Sequence, residues 1–429
     1  MTSHSHHHQS MLSVEEARAH VLEHFTRLDD EEKPILESFG QVLAEDVSSA
    51  FDVPPMENSA MDGYAVQAAS VAGASEASPV SLRVVGSIAA GALPAERVAP
   101  GTAIRIMTGA PLPKGADAVV PFEETDELEQ RRGEAEASHI GIYVGVPEAT
   151  NVRPVGQDVG KGDLVLEAGT VLRSAHIGVL ASLGKSRVRV VRRPRVAVLA
   201  TGDELIEPGE PFEAGRIYNS NSPGVASEVA RAGGVPVLLG IAGDDIASLN
   251  ARIEQGLESD LLITTAGVSK GDYDIVKDVL AQRGNMEFWS VRMRPAKPLA
   301  FGTLRAPGGR AVPHLGLPGN PVSALVAFEQ LGRPAVLKMM GRNDFERPTV
   351  QAVLEEPIVN HDGRRVYARV VVSRREGSYY AKLTGHQGSN LLTSVARANG
   401  LAICPEDVPE KAAGEVVTVQ MIDWPEEVF

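Results

Sequence analysis

LGLPGNPVSA, residues 315–324, decides how this chain is read. It closes an apolar run and opens a helical one, giving strand, turn and helix. Leu315 and Leu317 fall at the strand end. Pro318 and Pro321 each lack an N–H and fix φ, stiffening the turn from both sides. Gly319 admits backbone angles closed to other residues and lets a ligand come close. Asn320 suits the N-cap and Pro321 the first helical position. The helix then carries Val322, Ser323, Leu325, Val326 and Phe328. Its free N–H groups favour an anion; a well-capped turn without ligand is the alternative.

Working upstream, strands and helices alternate from Arg193 onward. RVAVLATGDEL reads as a buried strand. SPGVASEVARAGG reads as a helix capped by Ser222 and stopped at Gly233. VPVLLGIAGDD and DLLITTAG are strands; IASLNARIEQGLES and DIVKDVLAQRG are helices. FWSVRMRPAKPLAFGTL is extended, and the last helix ends near Gly341. This alternation means a doubly wound parallel sheet covered on both faces. Ligands of such sheets bind beyond the carboxyl ends of the strands. One rim therefore gathers residues 202–204, Asp244, residues 267–274 and residues 318–321.

The flanks differ in pattern. Ser13 and Glu16 form a capping box opening a helix over MLSVEEARAHVLEHF. Val42, Leu43 and Val47 suggest a short helix or strand edge. Short apolar runs broken by Gly and Pro between about 67 and 146 indicate a β-rich insert, with EETDELEQRRGEAEA as its charged tip. SAHIGVLASLG is a helix with Ser174 as N-cap and Gly184 just past its end. Beyond Gly341, strands joined by HDG, REG and GE turns indicate a small β-barrel. The expected division is a tag-like tail over 1–10, an extended N-terminal dimerisation domain over 11–52 and 151–190, the insert over 53–150, an α/β domain over 191–341 and the barrel over 342–429.

The 429 residues include 41 basic and 56 acidic side chains, a net charge of −15. That balance argues against a general nucleic-acid binder, and an anionic ligand must meet locally clustered cations. The single cysteine, Cys404, forbids an internal disulfide or a cysteine zinc site and fits a buried small hydrophobe. No apolar run reaches membrane-span length, and a reducing cytoplasm suits the chain. HSHHH near the N-terminus resembles a tag or a disordered tail.

On the rim, TTAGVSKGDYD places Gly267 and Gly271 where a backbone can wrap an oxyanion, with Ser269 as a hydroxyl donor. Asp274 offers a hard oxygen to Mg²⁺, whereas Asp272 suits a helix cap. Asp203 and Glu204 in TGDEL and the Asp244–Asp245 pair are further acids; Asp245 equally suits a cap. Arg294 and Lys297 in RMRPAKP supply two cations for oxyanions.

These pieces resemble the molybdopterin molybdenumtransferase family, bacterial MoeA and the matching C-terminal domain of gephyrin. The matching stretches are NSAMDGYAV (58–66), RIMTGAPLPKGADAVV (105–120), NVRPVGQDVGKGD (151–163), TGDEL, IYNSNSP (217–223), TTAGVSKGDYD, RMRPAKPLAFG, LGLPGNPVSA and GHQGSNLLTSVARANG (385–400). Each alone is weak; all of them in one order are specific. The resemblance implies an Mg²⁺-dependent enzyme that takes adenylylated molybdopterin and molybdate and releases AMP and molybdenum cofactor. It implies a homodimer with its active site between subunits, receiving substrate from the adenylyltransferase and passing product to apo molybdoenzymes. By motif it marks Asp62, Thr108, Asp158, Glu204, Arg294 and Lys297 as catalytic. Glu204, Asp244 and Asp274 would hold the cation. Gly267, Ser269, Pro318, Gly319, Asn320, Pro321, Ser323, Arg369 and Ser389 would bind substrate. Family members usually begin the glycine loop with two glycines; here Ala266 precedes Gly267. If that position needs a left-handed φ, alanine costs roughly 1 kcal/mol or more. The adenylyltransferase of the preceding step and a non-catalytic scaffold are the alternatives.

Overall fold

The computed structural model describes residues 11–127, 138–243, 245–265 and 275–424, with side chains in the last stretch from 278. Asp244, Ala266, Gly267, Ser269 and Asp274, the histidine-rich tail and most of the charged tip lie outside the described residues. The chain divides into two compact units. One takes the residues up to 44, 171–173 and everything from 187; the other takes 45–170 and 174–186.

The second unit is the β-rich one. Strands β1 (Gly63–Val66), β2 (Val80–Ile88), β3 (Thr102–Ile106), β4 (Ala118–Pro121) and β5 (His139–Ile142) form one sheet in the order β4-β1-β3-β2-β5. Tyr64, Val66, Leu82, Ala103, Val120 and Ile140 pack one face, and Ala65, Ile104, Ile106 and Val119 the other. Gly63 is required in β1, because a Cβ there would lie 2.0 Å from the Val120 carbonyl oxygen. Val47 sits in a two-residue strand paired with residues 164–166, while Val42 and Leu43 make single bridges in the first unit, to Val171 and Val190.

The first unit opens with α1 (Val14–Glu23). Its capping box is complete: Glu16 N–H donates to Ser13 Oγ, and Ser13 N–H to Glu16 Oε2. The α/β sheet has the order β7-β6-β8-β11-β10-β9, where β6 is Arg195–Thr201, β7 Val235–Ala242, β8 Leu261–Thr265, β9 Gly284–Ser290, β10 Pro298–Arg305 and β11 Ala311–Leu317. β7, β6, β8 and β11 run parallel, as the βα alternation requires; β10 and β9 extend the sheet antiparallel. No helix separates β9, β10 and β11, so these strands pair antiparallel in turn.

Helix α3 (Asn221–Arg231) and the run α6 (Pro321–Ala327), a π segment (Phe328–Gly332) and α7 (Arg333–Met339) cover one face with α1, against Val196, Val198, Leu261, Ile263, Leu315 and Leu317. Helices α4 (Ile246–Gly256) and α5 (Ile275–Arg283) cover the other, against Ala197, Leu199 and Leu262. The neighbouring strands β6 and β8 therefore carry alternate residues into two separate cores. In the second unit, helix α2 (Ser174–Ser182) is followed by Gly184 at φ +70.

The C-terminal strands β12 (Thr349–Leu354), β13 (Arg365–Arg375), β14 (Ser378–Leu383), β15 (Gly400–Cys404) and β16 (Val416–Met421) close into a barrel. The order β13-β14-β12-β16-β15 returns to β13, leaving no open ladder between first and last strands. Met293–Arg294 adds alongside β13 at Arg365 and Val366. Cys404 is buried.

His314 on β11 is fully buried, with Nε2 3.0 Å from Thr264 Oγ1. Burial pushes its pKa down to about 3. Unfolding restores an ordinary histidine, which binds a proton below about pH 6.5. Between about pH 6.5 and 3 the unfolded chain therefore binds the extra proton, and stability falls as pH falls. Urea titrations should show a slope of up to about 1.4 kcal/mol per pH unit in that window, absent in His314→Leu.

Candidate functional site

The carboxyl ends of β6 and β8 form the switch point of the sheet, because the helices after β6 and β7 leave to opposite faces. Gly202 at φ +136 ends β6, and a Cβ there would stand 2.3 Å from Glu204 Oε2. Glycine at that position thus makes room for the exposed Glu204 carboxylate. Asp245 is a helix cap: its Oδ1 accepts the Ser248 N–H at 2.8 Å.

Around this point the protein leaves buried polar atoms unpaired. Asn219 and Ser222 are 1% and 2% exposed, and Thr265 is 1% exposed. Among the described residues, Asn219 Nδ2, Asn221 Oδ1, Ser222 Oγ and Thr265 Oγ1 have no hydrogen-bond partner. Each such group costs about 1–3 kcal/mol where water is excluded. In the sequence, the IYNSNSP resemblance marks the segment holding Asn219, Asn221 and Ser222, but no local signal marks any of the four as a site residue. The cap of α3 also differs from expectation. Ser222 does not cap it; the helix starts at Asn221, two residues before the start that a Ser222 cap implies, and Asn219 Oδ1 accepts the Ser222 N–H at 3.1 Å.

The 318–321 turn stands beside them. Asn221 Nδ2 donates to the Gly319 carbonyl at 2.7 Å. Pro318 and Ser323 are buried, Pro321 is half-buried, and Gly319 and Asn320 are exposed. Asn320 holds the N-cap position, but its side chain makes no capping bond. Val322 N–H donates instead to the Ser389 carbonyl at 3.1 Å, and Ala324 N–H to the Asn320 carbonyl at 2.9 Å. With Pro321 lacking a donor, this helix end has little left to offer an anion, contrary to the sequence expectation.

The Ser389 contact brings the barrel loop to the turn, and there the positive charge lies. Arg369 on β13 is 1% exposed. Its Nη2 donates to the Gly388 carbonyl at 3.1 Å and its Nε to Ser394 Oγ at 3.2 Å. Among the described residues no carboxylate pairs with it. Burial, with the Arg294 charge nearby, lowers its pKa to about 10, so it stays charged at neutral pH. A cavity of about 310 Å³ is lined by Arg294, Ile358, Val359, Val366, Arg369 and Gln387. The Arg294 guanidinium donates to the Val359 carbonyl. Lys297 is exposed, three residues further on.

Asp62, Thr108 and Asp158 belong to the other unit. Asp62 Oδ1 accepts both the Thr108 N–H, at 2.7 Å, and the Thr108 hydroxyl, at 2.8 Å. These two bonds hold the exposed Asp62 carboxyl below its usual range, with a smaller contribution from the Arg105 charge. Asp158 is exposed, and its N–H donates to the Val53 carbonyl.

For a divalent cation, Glu204 is the one expected ligand among the described residues. Its exposed carboxylate is a hard oxygen donor of the type Mg²⁺ takes. Among the described residues no group of three His, Cys, Asp or Glu side chains could hold a metal ion.

Comparison with known proteins gives consistent matches. Residues 12–184 match the MoeA N-terminal region (domain I and II), 197–338 a probable molybdopterin binding domain, and 351–422 the MoeA C-terminal region (domain IV). Molybdopterin molybdenumtransferase 2 of Mycobacterium tuberculosis is 39% identical over 416 residues, covering 95% of this chain and 99% of that protein. Molybdopterin molybdenumtransferase of Haemophilus influenzae is 35% identical over 415 residues, covering 96% and 98%. The crystal structure of a molybdopterin biosynthesis MoeA protein from Pyrococcus horikoshii superposes with a TM-score of 0.78 at 33% identity, covering 97% of this chain and 100% of that one.

Arg369→Met should lower affinity for sulfate, a tetrahedral oxyanion probe, by about tenfold or more in calorimetry. Because that side chain bonds only neutral partners, the variant should lose no more than about 1–3 kcal/mol in urea unfolding.

Proposed function

This chain belongs to the molybdopterin molybdenumtransferase family, and from that premise we propose how its own residues carry the reaction. The chain inserts molybdenum into molybdopterin in the biosynthesis of the molybdenum cofactor. We propose that the molybdenum arrives as molybdate and the pterin as its adenylate. Two molybdenum–sulfur bonds form at the dithiolene as the two thiol protons and one molybdate oxygen leave as water, and a second water cleaves the phosphoanhydride to give AMP and the pterin phosphate.

The observation that carries this reading is the unpaired, buried Arg369 beside Arg294 on a cavity of about 310 Å³. In a chain of net charge −15, a buried cation without a carboxylate is a site for a small oxyanion. Arg369 and Arg294 bind molybdate, and Lys297 and Ser389 hold the phosphate oxygens. Gly267, Ser269 and the Pro318–Pro321 turn, with Ser323 in the helix behind it, seat the adenylylated pterin. Glu204, Asp244 and Asp274 would hold Mg²⁺, which would supply positive charge to the phosphoanhydride. Asp62, ionised and locked to Thr108, and Asp158 orient water and substrate hydroxyls from the second unit of a partner subunit, so the working protein is a homodimer. The compartment is the cytoplasm, where substrate comes from the adenylyltransferase and product goes to apo molybdoenzymes. No described helix is long and apolar enough to cross a membrane.

The test is AMP release from adenylylated molybdopterin, with and without molybdate, alongside activation of an apo molybdoenzyme. Molybdate-dependent release with activation is expected. Tight binding without release would support a scaffold instead, and adenylylation of free molybdopterin by ATP would support the rival enzyme. Glu204→Gln and Asp274→Ala should keep wild-type circular dichroism and lose about 100-fold or more in rate. Chelation should abolish wild-type turnover, and added Mg²⁺ should restore it.

A further inference from the structure

The unpaired atoms at the switch point share one face of the sheet. Leu261 and Ile263 of β8 pack into the core under α3 and α6, while Leu262 packs into the opposite one. Thr265 has the same parity as Leu261 and Ile263, so its side chain stands on the α3 and α6 side. It lies opposite Leu317, the last residue before the 318–321 turn. Asn221, through its bond to the Gly319 carbonyl, brings the first turn of α3 to that same turn. Asn219 stands just before α3 and Ser222 in its first turn, joined by the bond from the Ser222 N–H to Asn219 Oδ1.

The chemistry of these atoms is fixed. An asparagine amide can be flipped on paper, but here backbone bonds decide its direction. Asn221 must present Nδ2 to the Gly319 carbonyl, which leaves Oδ1 as a free acceptor. Asn219 must present Oδ1 to the Ser222 N–H, which leaves Nδ2 as a free donor. Ser222 and Thr265 add two hydroxyls that donate or accept. None of the four carries charge. A phosphate offers acceptors only and would face Asn221 Oδ1, so it does not fit.

We propose that Asn219, Asn221, Ser222 and Thr265 read the neutral donor–acceptor edge of a nitrogen heterocycle of the substrate. This inference rests on the molybdopterin adenylate being that substrate, which offers two such rings, the pterin and the adenine. The exposed Gly319 and Asn320 mark the side from which the ring edge arrives. The oxyanion site at Arg369 and this ring site then take different substrates, molybdate at the first and the adenylylated pterin at the second.

The test uses two hydroxyl deletions, Ser222→Ala and Thr265→Val. Neither hydroxyl has a partner among the described residues, so both variants should melt at or above the wild-type temperature. A phosphate-free pterin and adenosine are the two probes, measured by calorimetry on the full chain. One of them should bind wild type and weaken about tenfold in each variant, while sulfate binding stays unchanged. The probe that responds identifies the ring. Binding of neither probe, or binding equal in wild type and variants, overturns the inference even if molybdate-dependent AMP release is intact. Loss of AMP release in wild type, with ring binding still sensitive to both hydroxyls, would overturn the proposed reaction and leave the ring site standing.

Discussion

The turn at residues 318–321 is pinned from two directions, and the arrangement of the first unit depends on it. From the α/β side, Asn221 donates to the Gly319 carbonyl. From the barrel side, the Ser389 carbonyl takes the Val322 N–H. Two prolines remove the freedom with which a turn of this length would answer such pulls. A segment that would otherwise be a loose βα connection thus becomes a fixed point between the sheet's switch point and the Arg369 loop. Directed backbone bonds matter more here than area, because they set where the two loops stop.

The electrostatics follow from that placement. Arg369 is withdrawn from water but bonded to neutral oxygen atoms, so its charge is held in position without being neutralised. Salt bridges elsewhere do the opposite. Glu329, 6% exposed, is bracketed by Arg347 and Arg333, and Arg192 grips Asp260 with both of its terminal nitrogens. Those pairs cancel their fields and fasten elements together. Among the described residues, Arg369 thus differs from these architectural cations in having no carboxylate beside it. In the second unit, Asp62 is likewise fixed by neutral donors, so it stays ionised and aimed.

Much of the fold was legible in the sequence because local rules governed it. The Ser13–Glu16 capping box needs only four residues, and it forms. The βα alternation after Arg193 gave the parallel strands, and Gly233 and Gly341 take left-handed angles just past their helices. Where local rules competed, the reading failed. Ser222 suits a cap by itself, but the helix begins at Asn221, and Asn219, which follows the pairing of Ile217 and Tyr218 with Leu205 and Ile206, takes the Ser222 N–H. Asn320 looked like the cap of the next helix, yet a carbonyl from sixty-odd residues downstream took the donor it would have served.

The sequence by itself determined the kinds of element, their order and the family's motifs, because propensity, capping and hydrophobic period act over a few residues. It also showed that any anion site must rest on local cations, since that follows from counting charges. Only the tertiary structure decided which polar atoms are left without partners. Asn219, Asn221, Ser222 and Thr265 are ordinary residues in a string of letters. They become candidates because strand parity, one helix start and one turn bring them together and deny them water. Satisfaction of a hydrogen bond is a property of the whole packed neighbourhood, and no window of sequence contains it.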